Sequence, residues 1–152
     1  MEFSLSERLL HNLITKNKLL NKFFFEFEKI LYLNKTTQFQ NNKHIFVSGL
    51  PRSGSSILTI FLHNTNKFGS LTYSDSPFLL APNFYSNFKK KNINKFFKRI
   101  HDDGIEISLS SPEALDNLFF LTYSNEFNLH VVDYINLILF KTTKDRYLSK
   151  NN

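Results

Sequence analysis

Between Ser48 and Ile57 the chain reads Ser-Gly-Leu-Pro-Arg-Ser-Gly-Ser-Ser-Ile, a run rich in the residue types that hold an anion. Gly49 and Gly54 permit backbone angles and close approaches that a side chain would forbid. If a helix opens after Gly54, its first N–H groups and the positive end of its dipole face the turn, which attracts phosphate-like groups. Ser53, Ser55 and Ser56 add hydroxyl donors, and Arg52, next to Pro51, adds a permanent charge. The plainer alternative is a strand-to-helix turn whose serines cap the helix. The composition of the run fits both.

The spacing narrows the chemistry. Gly49, four residues, then Gly54-Ser55-Ser56 has the spacing of the P-loop of nucleoside triphosphatases, in which a Lys follows the second Gly. Here Ser55 stands in that place and the basic residue is Arg52, inside the loop. A triphosphatase needs the Lys on its β- and γ-phosphates and a hydroxyl on magnesium. Its loss argues against ATP hydrolysis and suits a less highly charged donor that needs no metal. A P-loop-type nucleotide kinase or NTPase remains the alternative enzyme. Elsewhere, Asp75 sits in Ser74-Asp75-Ser76-Pro77, which reads either as a general base or as an Asx-turn. His101-Asp102-Asp103 reads as a polar loop before Gly104 rather than a metal site. Glu113 favours a helix macrodipole without a catalytic role. His11, His44, His63 and His130 are scattered and read as structural.

These residues need elements to hold them. Ser4 with Glu7 is a capping-box pattern, and apolar positions from Leu9 through Leu13, Ile14, Leu20, Phe23, Phe24, Phe27, Ile30 and Leu31 follow the helical period. One helix is predicted from Ser6 to Leu33. Of Phe23, Phe24 and Phe25, the period buries all but one exposed ring. Asn34 to Lys43 is a polar connector, and His44 to Val47 is a short apolar run of the kind buried in parallel sheets. A helix resumes from Ser55 to Asn64. Tyr73 to Phe88, with Pro77 and Pro82, predicts an extended loop with one helical turn. Further helices are expected over Asn94–Ile100, from Ser111 as N-cap to Tyr123, and over Val132–Lys141. Arg146 to Ser149 begins a second strand. About two strands is few for a doubly wound α/β sheet, so either partner chains or further residues complete it, and the final strand is expected to be an exposed, sticky edge.

Composition sets the outer bounds. The chain has 152 residues, 41% of them hydrophobic and 21% charged, as expected of one globular domain. Its net charge of +6 favours anionic partners. The abundance of Lys, Asn, Phe and Ile follows A/T-rich codons, and Lys89-Lys90-Lys91 reads as a solvated helix surface, so nucleic acid is not expected as a partner. There is no cysteine, which excludes disulfides, thiol catalysis and thiolate metal sites. The start lacks a signal-peptide pattern and no apolar run reaches membrane-spanning length, so a cytoplasmic protein without a membrane partner is expected.

Val47 to Leu58, with Pro51-Arg52-Ser53-Gly54-Ser55-Ser56 at its centre, resembles the 5′-phosphosulfate-binding loop of PAPS-dependent sulfotransferases. The Pro-Arg-Ser-Gly-(Ser/Thr)-(Ser/Thr) form occurs in carbohydrate and tyrosylprotein sulfotransferases and in many bacterial relatives. Leu71 to Pro82 resembles the acidic-then-Pro segment that follows the loop helix in this group. Asp103-Gly104-Ile105 and Ser111 to Leu115 resemble a later stretch of bacterial members, and Arg146 to Asn152 the strand leading to their 3′-phosphate site. The resemblance implies a P-loop-like α/β fold, here an incomplete short parallel sheet flanked by helices. It implies transfer of a sulfuryl group from PAPS to a hydroxyl or amine acceptor, leaving PAP, without a metal. Gly49, Pro51, Arg52, Ser53, Gly54, Ser55 and Ser56 would bind the donor. Arg52 would stabilise charge growing on the 5′-phosphate oxygen, and Asp75 would take the acceptor proton. In the family the chain continues, and a later Arg and Ser grip the 3′-phosphate. Residues 1–152 are therefore read as the N-terminal part of one sulfotransferase domain, with 1–43 a helix and connector and 44–152 the donor-binding portion. Weak or no turnover is expected, a non-catalytic truncated remnant being the other reading. No segment here is assigned to acceptor choice or to oligomerisation.

Overall fold

Asn17 divides what the apolar period predicts as one helix. The computed structural model describes residues 13–36, 43–50, 53–88, 96–98 and 106–151, and the part of that helix before residue 13 lies outside them. Residues 13–16 are helical, Asn17 leaves the helical region at φ −98°, ψ 103°, and a new helix starts at Lys18. The Asn17 carboxamide oxygen accepts from Leu19 N (3.0 Å) and Leu20 N (3.2 Å), the local competition that makes Asn a helix starter. From Thr15 to Lys18 no apolar side chain is available to hold a continuous stripe across the break.

In chain order the elements are α1 (Lys18–Tyr32), β1 (Ile45–Ser48), α2 (Ser55–Asn64), β2 (Phe68–Gly69), α3 (Pro82–Ser86), β3 (Phe96–Lys98), β4 (Glu106–Ser108), α4 (Asn117–Thr122), α5 (Phe127–Thr142) and β5 (Arg146–Asn151). A 3₁₀ turn at Tyr73–Asp75 follows β2. Strands β1, β5 and β2 form a parallel sheet in that order, with Val47 beside Lys150, Ser48 beside Asn151 and Phe68 beside Arg146. The chain is thus mixed α/β, with a small three-stranded parallel sheet among the described residues and helices on both faces. The final strand is not the expected edge. β5 is central, and β1 and β2 are its neighbours.

On one face of the sheet, Val47, Phe68 and Leu148 pack with Ile45 and with Leu62 of α2. On the other, Tyr147 joins the larger core of Phe25, Phe119, Tyr123, Tyr134, Leu137, Ile138 and Leu139 from α1, α4 and α5. Phe119 and Tyr134 stack at 4.0 Å between ring centroids. The Phe triplet does contribute core and one outward ring, but Phe25, absent from the predicted apolar stripe, is fully buried and Phe23, placed in it, is mostly exposed. The buried stripe of α1, however, is Asn21, Phe25 and Glu28, and the predicted Ile30 is exposed. Glu28 can occupy that face because its carboxylate accepts from Asn83 N (2.7 Å), Asn83 Nδ2 (2.7 Å) and Phe84 N (3.0 Å), the open first turn of α3.

Two predicted helices are corrected. Phe96–Lys98 is a strand paired antiparallel with β4, Phe97 opposite Ile107. Ser111 does not cap a helix. Its hydroxyl accepts from Ser108 N (2.9 Å), its N–H donates to Ser108 O (3.0 Å), and Pro112 pairs with Thr72 in an isolated bridge. The helix begins only at Asn117, while α5 begins at Phe127, earlier than its apolar period implies. The helical turn expected between Tyr73 and Phe88 is α3.

Candidate functional site

The loop is delivered by β1 and received by α2. Gly49 follows β1 at a point where a Cβ would stand 2.5 Å from Ser53 Oγ, so the turn closes tightly on its own serine. Ser53 N donates to Leu50 O (3.1 Å). Gly54 has φ +81°, a left-handed conformation that disfavours any side chain. Gly54 itself, not a serine, flanks the helix, and no side chain caps its first turn. Helical hydrogen bonding starts with Leu58 N to Gly54 O (3.0 Å), so the N–H groups of Ser55, Ser56 and Ile57 precede it. Pro51 and Arg52 lie outside the described residues.

The register of the sheet brings a residue to this turn that the sequence reading did not select. Lys150 lies beside Val47 at the end of β5 and points to the α2 side. Its Nζ donates to Ser56 Oγ (2.8 Å) and is ion-paired with Glu113. Only 3% of Lys150 is exposed, so its charge is matched by these partners rather than by water. Glu113 is carried by the segment misread as a helix start, which is strapped to the chain after β2. Besides the Thr72–Pro112 bridge, Ser74 N donates to Leu109 O (2.8 Å) and Tyr73 N to Ser111 O (3.3 Å). The sequence carries one signal for Lys150, a charged residue ending an otherwise buried strand. Selecting it requires the Val47–Lys150 register.

Asp75 stands at the end of the 3₁₀ turn, 2% exposed. Its Oδ2 accepts from Thr72 N (2.9 Å) and Thr72 Oγ1 (3.1 Å), completing a capping box, and lies 2.5 Å from Lys141 Nζ on α5. The local-turn reading of this residue is thus present in the structure, as a capping box rather than an Asx-turn.

On the opposite face of β5, Asp116 is buried. Its Oδ1 accepts from Tyr134 OH (2.5 Å) and Tyr147 OH (2.6 Å), and its Oδ2 from Ser149 Oγ (3.0 Å). Burial pushes the carboxyl pKa up, against the three hydroxyls that favour its ionised form. The same burial and the nearby carboxylate push both tyrosines well up. Beside this end of β5, Asn117, Phe120, Leu121 and Asn151 line an open cleft of about 330 Å³. His44 and His63 are structural, accepting from Tyr147 N (3.1 Å) and bonded to Ser70 Oγ (2.8 Å) respectively. His101-Asp102-Asp103 lies outside the described residues. Among the described residues, no group of three or more His, Cys, Asp or Glu could hold a metal ion, and no helix is long and apolar enough to cross a membrane. Comparison with protein-family models, with curated proteins and with solved structures gives no match.

Proposed function

We propose that the turn from Gly49 to Ser56 binds the 5′-phosphosulfate end of PAPS and that the chain belongs to the donor-binding part of a sulfotransferase with a P-loop-like fold. The observation that carries this reading is the Lys150–Ser56 contact at a helix start left without a side-chain cap. First-turn N–H groups, the Ser56 hydroxyl and the Lys150 ammonium converge where β1 and β5 end. Anions bind at such helix starts, and ligands of open parallel sheets bind beyond the carboxyl ends of the strands.

In the transfer, the acceptor oxygen or nitrogen forms a bond to sulfur. The bond from sulfur to the 5′-phosphate oxygen breaks and its electron pair stays on that oxygen, leaving PAP. Charge therefore grows on the phosphate oxygen, where Arg52, on the loop sequence, and Lys150, which would have to exchange Glu113 for the donor, would stabilise it. The acceptor proton is assigned to Asp75, which would have to exchange Lys141 and Thr72 for the acceptor.

Lys150 also supports the second reading. An ammonium reaching the loop from β5 could replace the Lys missing after Gly54 and serve a nucleoside triphosphate. Calorimetric titration with PAPS, PAP and magnesium-ATP, on the wild type and on Arg52→Ala and Lys150→Ala, decides between them. PAPS and PAP binding that weakens roughly tenfold or more in each variant supports the sulfotransferase reading, since a charged hydrogen bond contributes about 1.5–3 kcal/mol. Magnesium-ATP binding with hydrolysis supports the other. A folded chain that binds none of them overturns both.

A further inference from the structure

We infer that residues 113–116 clamp the end of β5 across both its faces and that Asp116 is the positioning residue for Lys150. This rests on the reading of Lys150 as part of the donor site. Successive side chains of a strand point to opposite faces. Tyr147 and Ser149 therefore face one side and Lys150 the other, and the contacts confirm it: both hydroxyls donate to Asp116, while Lys150 pairs with Glu113 and reaches Ser56. A single turn of chain thus holds the strand twice. Glu113 neutralises the ammonium, and Asp116, three residues on, fixes the backbone that carries it. Asp116 also accepts from Tyr134 of α5, which anchors the clamp to the larger core.

The arrangement is not what packing alone would select. Apolar side chains of similar volume generally fill such a space at no loss of stability, whereas a buried carboxylate with three hydroxyl donors fixes one register and one rotamer. A shift of the strand end would lengthen the 2.8 Å contact from Lys150 Nζ to Ser56 Oγ or force the buried side chain into another rotamer. The clamp supplies that accuracy at the point where the proposed chemistry uses it.

The test combines Asp116→Asn with Ser149→Ala, which removes one hydroxyl, and with Glu28→Gln as a control that loosens α1 from α3 away from β5. The readouts are thermal stability, the ¹⁵N spectrum of the lysine ammonium groups, in which Lys150 is assigned by its loss in Lys150→Met, and PAP affinity. Asp116→Asn and Ser149→Ala are expected to shift or broaden the Lys150 signal and to weaken PAP binding about three- to tenfold, the size of a lost neutral hydrogen bond. Glu28→Gln is expected to lower the melting temperature with both the signal and the PAP affinity unchanged. A Lys150 signal unmoved by Ser149→Ala and by a folded Asp116→Asn overturns the clamp. If the signal moves but the wild type binds no PAP, the clamp stands and the donor-site reading falls.

Discussion

Lys150 and Glu113 form a nearly buried ion pair, and such a pair is asymmetric in its energetics. Removing one partner leaves a buried charge unmatched and costs about 3–5 kcal/mol, whereas replacing both by neutral groups of similar volume is often tolerated. Glu113→Gln should therefore lower the unfolding free energy by about that amount in denaturant titrations. Adding Lys150→Met should restore most of that stability and at the same time weaken PAP binding, which separates stability from the donor contact. Asp75 allows the same separation. Its carboxylate matches Lys141 and closes the 3₁₀ turn, so Asp75→Asn should cost about 1–3 kcal/mol of stability. Unchanged stability with intact PAP binding but abolished sulfuryl transfer would instead establish it as the base.

At the scale of elements, the strand, glycine turn and helix from Ile45 to Asn64 were legible in the sequence because each carries a local cause. A short apolar run, a glycine forced to φ +81° and a resumed helical period sit side by side. Gly54→Ala tests that cause in isolation. A Cβ there would meet nothing within 4 Å, so the expected loss of about 1–2 kcal/mol in denaturant unfolding comes from backbone strain alone. Asn17→Ala should cost about 1 kcal/mol through the lost cap of α1. What the sequence did not yield depends on partners far along the chain. Glu28 and Asn21 occupy the buried face of α1, and for Glu28 the reason lies at Asn83 and Phe84. Ser111-Pro112-Glu113 has the composition of a helix start, but its groups bond instead to Ser108, Thr72 and Lys150. β2, only Phe68–Gly69, is too short to give an alternating pattern. The loop was thus readable while Lys150 was not, since only the pairing of β1 with β5 brings the two together.

Over the whole molecule, the titrating groups divide by sign. Burial and the nearby Lys141 and Lys144 push the His63 pKa below its ordinary 6.5, and burial with Arg146 does the same for His44. The unfolded chain then binds more protons than the folded one just below pH 6.5, so these histidines contribute stability that is complete above that pH and is lost as pH falls through the window down to their folded pKa values. Glu28 and Asp116 run the other way. Their carboxyls are pushed above 4.5 and 3.8 by burial, so the folded chain binds more protons and gains stability as pH falls through their raised values. The histidines should therefore lower the unfolding free energy as pH falls through the window below 6.5, with each carboxyl opposing that decline as pH falls through its own raised value. His63→Gln isolates one term. The variant should lose ground against the wild type at neutral pH, where the Ser70 hydrogen bond is weakened, and should recover part of it as pH falls below 6.5. Denaturant titrations of both proteins at half-unit pH steps measure that difference directly. A difference constant across the window would mean that His63 is as free to protonate in the folded chain as in the unfolded one, and that Lys141 and Lys144 leave it unaffected.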